Sequence, residues 1–553
     1  MQRPYSLIDP LRRQLGPIEN HLVDEFLAGR LSRRFFLRRA SVIGLGGPVL
    51  GAIAAAFGPW SAPLVQAATG KPGTTIRVGT TVPAGAIDPV TVGDTGGLLM
   101  LQQVGEFLVF DQQDLRLAPM LATSWKPNQD GSVWTFTLRQ GVKFHSGKTL
   151  TADDVVATID RLADPKNASN ALSVFKGVLS KGNTRKIDDH TVAFHLDAPN
   201  GNFPYHISSD NYNAIILPAD YQGDFEKTWD GTGPFRIEKY TPKVGASFVP
   251  NPDWWGGRVL PARTEFSFYT DQQPQVLALQ GGQIDIVSQI VVQGAQGLLG
   301  DPDISIIKIE AATHRQVHMR CDIPPFNDKR IRRAMALTLD RPAIVTGLFR
   351  GLSDLGNDSP FAPVYPSTNK SVAQRRENIA EAKALMAAVG SKGFSVTLTT
   401  EQYQEMPDYA VLIQNAAKEI GIEVRLKIEP QDAYYGSAVF GKSDWLDSPF
   451  GMTDYGHRGT PDVLLAAPLM SGGSWNAAHF RNPAYDKLVA EFVAAVDLSS
   501  QRAIAGKIET LLLEETPIIF AYFYDFLTAT RKSVTGAEPT AIAQLFLQSA
   551  SAG

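Results

Sequence analysis

The chain has 553 residues, 44% of them hydrophobic and 20% charged. That is too long for one compact core, and the balance is wrong for a disordered, collagen-like or polytopic membrane protein. A single cysteine, Cys321, excludes an internal disulfide, a CxxC site and an all-cysteine iron–sulfur cluster. The net charge of −4 is unevenly spread: residues 1–67 carry eight arginines, no lysine and four acidic residues, leaving a body with 44 basic and 52 acidic residues. Such a body lacks the basic footprint that a phosphate backbone needs, so no nucleic-acid partner is expected.

The first 67 residues read as an address. Ser32-Arg33-Arg34-Phe35-Phe36-Leu37-Arg38 precedes an uncharged run over 40–68. The run is long enough to span a bilayer, but Gly44, Gly46, Gly47, Pro48, Gly51, Gly58, Pro59 and Pro63 make it a poor membrane helix. Val65-Gln66-Ala67 offers small residues for cleavage. Charged start, mildly apolar middle and small-residue end describe an export signal, and the paired arginines resemble the twin-arginine signal. The other reading of the segment is an uncleaved membrane anchor. No cysteine follows the run, so a lipid-anchored cysteine is excluded.

Beyond residue 68, strand and helix patterns interleave. Val133 to Leu138 alternates across Trp134 and Phe136, as a half-buried strand does. A helix is predicted over 151–162, and Val192, Phe194 and Leu196 alternate again. Asn327-Asp328 opens a helix with Ile331, Ala334, Met335 and Thr338 on one face. Asn378 precedes Glu381 by three residues, a capping-box-like start, and Gly390 closes that helix. Val396 and Leu398 then mark a strand. Tyr409, Leu412, Ile413, Ala416, Ala417 and Ile420 form a helical stripe, and Ile422, Val424, Leu426 and Ile428 alternate. Strand, helix, strand is a crossover unit, so this part is α/β with parallel pairing. Helix 500–515 carries Ile504, Ile508, Leu511 and Leu512, and the apolar run from Pro517 to Phe526 suits one buried strand.

Enzyme motifs are missing. There is no HExxH, no GxSxG and no GxxxxGK[ST], and Gly231-x-Gly233 lacks the third glycine of a dinucleotide turn. His314 and His318 fall in an alternating segment, a strand spacing poorly suited to a shared metal. His145 lies in a turn and reads as structural; Cys321 reads as a buried strand thiol.

Several segments together resemble one family. They are Ile87-Asp88-Pro89; Thr232-Gly233-Pro234-Phe235 with Tyr240; Asn251-Pro252-Asp253-Trp254-Trp255; Gly281-Gly282-Gln283-Ile284-Asp285; Pro325-Phe326-Asn327-Asp328-Lys329-Arg330-Ile331-Arg332-Arg333-Ala334 with Asp340-Arg341; and Asn482-Pro483-Ala484-Tyr485-Asp486. Their order over about 76–530 resembles the extracytoplasmic solute-binding proteins of ABC transporters, peptide/nickel type (family 5). The resemblance implies an α/β, two-lobed periplasmic-binding-protein-like fold (type II, cluster C) with an additional small α+β domain in lobe I. Lobe I would take 68–310, with the small domain at about 111–229. Lobe II would take 311–520, and 521–553 would return to lobe I as a strand and tail. It implies a periplasmic, monomeric, cofactor-free binder that closes on a peptide-like, opine or similar solute and hands it to ABC permease subunits.

The segment from Phe450 to Asp462 resembles the family loop in which an Asp pairs with a peptide's terminal amine. Asp454 is the matching position; a turn or cap Asp is the alternative. Asp462 reads as structural. Met452 stands where the family has Trp, and Thr460 where it has an acidic residue, which argues against a plain dipeptide. Tyr455, His457 and Arg458 adjoin Asp454. Trp475, in a Gly/Ser loop, either walls a pocket or packs on its own lobe. Asp94 and Thr95 come from the lobe I side. The competing function is an exported hydrolase or cofactor enzyme, resting on the paired arginines alone.

Overall fold

The computed structural model describes residues 15, 17–27, 31, 33–43, 45 and 72–553. The cleavage site expected at Val65-Gln66-Ala67, most of the apolar run and the side chains of Arg33 and Arg34 lie outside the described residues. Among those described, no helix is long and apolar enough to cross a membrane. The chain divides into two compact units: Met1–Ile290, Gly297–Ile307 and Leu527–Gly553 form the first, Val291–Gln296 and Lys308–Phe526 the second.

The first unit is built on a seven-stranded mixed sheet. Thr75–Thr81 buries Ile76 and Val78 and runs parallel to Arg263–Tyr269 on one side and to Ile286–Ile290 on the other. Gly245–Pro250 and Phe526–Arg531 add antiparallel neighbours. Two of the sequence motifs meet beside this sheet on one buried carboxylate. Glu106 follows helix Thr95–Val104 and accepts hydrogen bonds from Trp254 Nε1 at 2.9 Å, Trp255 Nε1 at 2.8 Å and Thr232 Oγ1 at 2.8 Å. Gly231 and Gly233 cross the end of that helix so closely that a Cβ would lie 2.0 and 2.8 Å from the Val104 carbonyl oxygen. The His145 ring reaches the carbonyls of Trp229 and Gly233, a structural role.

A separate four-stranded antiparallel sheet follows the order Ala122–Pro127, Val133–Leu138, Thr191–His195, Thr184–Asp188. Its Trp134, Phe136 and Phe194 pack with Phe203. Helix Ala152–Ala163 starts on a capping box made by Thr151 and Asp154. Part of the N-terminal segment sits within this unit. Helices Pro17–Leu27 and Arg33–Val42 bring Phe26 and Phe36 together with ring centroids 4.5 Å apart. Trp125 Nε1 donates to the Val42 carbonyl at 2.7 Å, the Leu117 N–H to Ser41 Oγ at 2.6 Å, and Arg39 Nη1 to Asn202 Oδ1 at 2.7 Å.

The second unit has its own sheet, in the order Ser353–Leu355, Tyr522–Tyr524, His314–Met319, Phe450–Tyr455, Phe394–Glu401, Ile422–Glu429. Phe394–Glu401 and Ile422–Glu429 pair in parallel through helix Met406–Lys418, the crossover that the alternation predicts. Phe394–Glu401 also runs parallel to Phe450–Tyr455, which is antiparallel to His314–Met319. Asn378 caps helix Ile379–Ala388, its side chain accepting from the Glu381 N–H at 3.1 Å. Asp328 caps Lys329–Leu337, and Arg341 grips the buried Asp358 at 2.8 and 2.9 Å. The run from Pro517 to Phe526 is not one strand: it breaks between Ile518–Ile519 and Tyr522–Tyr524. At the break, the Phe520 N–H is taken by Asp358 rather than by a neighbouring strand.

Candidate functional site

Period-two alternation sorts the strand Phe450–Tyr455 into two faces. Phe450, Met452 and Asp454 share one; Gly451, Thr453 and Tyr455 share the other. On the antiparallel neighbour, Met319, Val317 and Arg315 stand opposite Phe450, Met452 and Asp454. The first face is thus apolar along most of its length and ends in a charged pair.

Arg315 is completely buried. Its Nε and Nη2 donate to the two oxygens of Glu405 at 2.8 and 2.9 Å, a bidentate fork. Nη2 also donates to Gln404 Oε1 at 2.8 Å, and Nη1 donates to Asp454 Oδ1 and to Tyr524 Oη, the latter at 2.8 Å. The rings of Tyr524 and Tyr403 lie 4.4 and 5.5 Å from the guanidinium carbon, within cation–π range. Tyr522 completes Glu405 by donating its hydroxyl at 2.8 Å. Gln404, between the Phe394–Glu401 strand and the Met406–Lys418 helix, holds a left-handed backbone at φ 45°. A non-glycine residue there costs on the order of 1 kcal/mol or more, and local strain of this kind clusters at ligand clamps.

Asp454 differs from its partners in reaching solvent: its side chain keeps 25% exposure, against 0% for Arg315 and 2% for Glu405. Oδ1 accepts from Arg315 and, at 3.1 Å, from Tyr524 Oη; Oδ2 has no partner among the described residues. Burial pushes the Asp454 carboxyl above the usual carboxylate range, Arg315 pulls it back down, and Glu405 pushes it further up. Nearby Glu401 is buried, accepting from Tyr435 Oη at 2.6 Å and Gln431 Nε2 at 2.5 Å. Burial raises its carboxyl too, those hydrogen bonds lower it, and Asp454 raises it again. One guanidinium therefore stands among three carboxylates, an excess of negative charge.

The other proposed site residues distribute as follows. Met452 is fully buried on the Asp454 face. Tyr455, on the reverse face, belongs to an aromatic cluster with Trp445 and Trp475, the ring centroids of Tyr455 and Trp475 lying 5.8 Å apart and those of Trp445 and Trp475 6.3 Å apart. Trp475 thus packs on its own unit, the second of the two readings of that loop. His457 is buried, its Nδ1 accepting from the Ala312 N–H at 2.9 Å. The Arg458 carbonyl accepts from Tyr365 Oη at 2.6 Å. In the first unit, Asp94 caps helix Thr95–Val104, taking the Gly97 N–H at 2.9 Å, and Thr95 is that helix's first residue. His314 and His318 share one strand face but turn to different protein partners: His314 packs on Tyr455 and Phe520, and His318 Nε2 meets the Ser448 carbonyl at 2.9 Å.

Sequence reasoning missed Arg315, Glu405 and Glu401. Arg315 had a signal: it shares its strand face with Val317 and Met319, so an arginine stood where the alternation asks for a buried residue.

The chain matches the family described as bacterial extracellular solute-binding proteins, family 5 (middle), over residues 116–465. It is 25% identical over 473 residues to a periplasmic murein peptide-binding protein of Escherichia coli strain K12, covering 79% of this chain and 86% of that protein. It is 25% identical over 449 residues to heme-binding protein A of Haemophilus influenzae, covering 76% and 81%. In fold it is similar to the ABC transporter-associated periplasmic binding protein DppA of Helicobacter pylori in complex with the peptide STSA, with a TM-score of 0.72, 20% identity and coverage of 86% of this chain and 99% of that one. The family match covers more than half of the chain, which belongs to the bacterial extracellular solute-binding proteins, family 5.

Proposed function

We propose that this chain is the solute-capturing component of an ABC importer and that it holds a peptide-like, amine-bearing solute through Asp454. The observation that carries the reading is the second oxygen of Asp454: a carboxylate oxygen with solvent access, no protein donor, and a surplus of negative charge behind it is a ready acceptor for an ammonium group. The murein peptide-binding relative and the peptide-bound structural neighbour favour peptides among amines. The protein works in the periplasm, as a monomer, beside its permease; the twin arginines of the leader supply the export route. Its work is binding without turnover.

The test is isothermal titration of the full chain with Ala-Ala-Ala. Binding that falls by about 100-fold in Asp454→Asn supports the reading, given that charge-assisted hydrogen bonds contribute about 1.5–3 kcal/mol and each 1.4 kcal/mol is tenfold. Unchanged affinity removes Asp454 from the site, and hydrolysis of the peptide during the titration restores the enzyme reading. For the route, retention of the precursor inside the cell when Arg33 and Arg34 are both replaced by Lys is the expected result.

A further inference from the structure

A guanidinium has five N–H donors. In Arg315 all of them are spent within the second unit: one on each oxygen of Glu405, and the others on Gln404, Asp454 and Tyr524. Arginine near a solute site normally serves to receive a carboxylate through its fork, but here the fork is closed by Glu405. The guanidinium is also wholly buried and covered by two tyrosine rings. What reaches solvent is Asp454, with Glu405 and Glu401 behind it.

We propose, building on the reading of Asp454 as the solute contact, that Arg315 is a fixed internal counter-ion that holds Asp454 ionised and oriented while offering nothing to a solute anion, so that the site selects an ammonium with no carboxylate on the same carbon. The α-ammonium of a peptide meets this condition, since its carboxylate lies at the far end of the chain. A free α-amino acid does not. Its carboxylate would enter beside Asp454 and face Glu405 and Glu401, with no donor of Arg315 left to receive it. Like charges a few ångströms apart at a partly buried site repel by a few kcal/mol, enough for discrimination of at least about tenfold.

Arg315 is here a positioning residue, so its test needs more than a loss of affinity. The groups that face Asp454 are Arg315 and Tyr524, which touch it, and Glu405, Glu401, Tyr403 and Tyr435, which act on it or are acted on by it through space. Of the charges among them that act on Asp454, Arg315 favours the ionised carboxylate and Glu405 opposes it, with Arg315 the stronger. Removing both charges together keeps the buried balance and still leaves Asp454 easier to protonate.

The experiment titrates the full chain with Ala-Ala-Ala, its N-acetylated form and free alanine, from pH 4 to 8. Ala-Ala-Ala binding at least about tenfold more tightly than either of the others is the expected result. The acid limb of Ala-Ala-Ala binding should move to higher pH in the Arg315→Gln/Glu405→Gln double variant, and return toward its original place in Arg315→Lys, which keeps the charge. Thermal melts of each variant establish that it folds. Alanine binding as tightly as the tripeptide, or an acid limb that stays where it was in a folded double variant, overturns the inference while leaving Asp454 as the contact. Tripeptide affinity untouched by Asp454→Asn instead overturns the reading beneath it.

Discussion

Arg315 and Asp454 stand directly opposite each other on adjacent antiparallel strands, and the ion pair between them is the boundary between a dry core and the solvent-facing end of one sheet face. Below it on the same face lie the apolar pairs Val317 with Met452 and Met319 with Phe450. Beyond it, Asp454 alone of the charged pair is wet. The register places the exposed charge at the end of the face, and the alternation keeps every other residue of that face in the core.

The two carboxylates that share Arg315 should respond differently to neutralisation. Glu405 takes two guanidinium donors and the Tyr522 hydroxyl in a fully buried setting, so Glu405→Gln leaves a buried cation under-compensated and is expected to cost about 3 kcal/mol. Asp454 makes one such contact and keeps solvent access, so Asp454→Asn should cost about 1 kcal/mol. Urea denaturation of the two variants checks the order; an equal or reversed cost contradicts the geometry.

Much of the second unit was legible from the sequence because its signals are local. The crossover over 394–429 follows from alternation on either side of a helical stripe, and the Asn378 cap from a three-residue spacing. The family motifs did not say which of their residues meet, or on what: Glu106 lies between a helix and a strand without any pattern of its own, and only the fold brings Thr232, Trp254 and Trp255 to it. The run from Pro517 to Phe526 looked like one strand because every residue up to Tyr524 is apolar or aromatic. It breaks where Asp358, far away in sequence, captures the Phe520 N–H. Asp454 was singled out by its motif, whereas its counter-ion lies 139 positions earlier on another strand, a pairing no local pattern reports.

The close crossing at Val104 makes a second prediction. Gly231→Ala and Gly233→Ala each drive a methyl group into backbone that is itself pinned by the Gly233 N–H donating to the Val104 carbonyl at 2.8 Å. Backbone cannot rotate away as a side chain does, so each substitution should cost upwards of about 3 kcal/mol. Thermal melts should show a large drop for both, whereas Gly257→Asn, in open space with φ +90°, should cost far less.

The contacts of the N-terminal helices predict that the body is less stable alone. A chain beginning at residue 72 loses the acceptor of the Trp125 indole, the acceptor of the Leu117 N–H and the Arg39 contact to Asn202. A hydrogen bond lost to water costs about 1 kcal/mol, so the shortened chain should lose about 2–3 kcal/mol and show a red-shifted tryptophan emission. The shift should vanish in Trp125→Phe. Identical melts for the two chains would mean that the N-terminal segment adds nothing to the folded body.

Two buried glutamates predict how stability varies with pH. Burial raises Glu106 and Glu509 from an ordinary 4.5 to about 7. A carboxyl raised by folding binds its proton more tightly in the native than in the unfolded chain. Each therefore destabilises the native state progressively as pH climbs from about 4.5 to about 7, by about 3 kcal/mol per group, and adds nothing further above that. Neutralising them should have opposite outcomes. Glu509 accepts one hydrogen bond, from the Asn369 N–H at 3.1 Å, which a glutamine oxygen can still accept. Glu509→Gln should therefore stabilise the protein at pH 8 by about 1–3 kcal/mol and flatten the pH slope. Glu106 instead accepts from three donors spread over both oxygens, and an amide nitrogen in place of either oxygen would face an N–H or O–H donor. Glu106→Gln should destabilise at every pH, and in the unaltered protein the emission of Trp254 and Trp255 should titrate with a midpoint near 7 that this substitution abolishes. Denaturant unfolding from pH 4.5 to 8 separates the two residues: if Glu509→Gln leaves the slope unchanged, the Glu509 carboxyl is not raised, and if tryptophan emission is flat across pH 7, neither is that of Glu106.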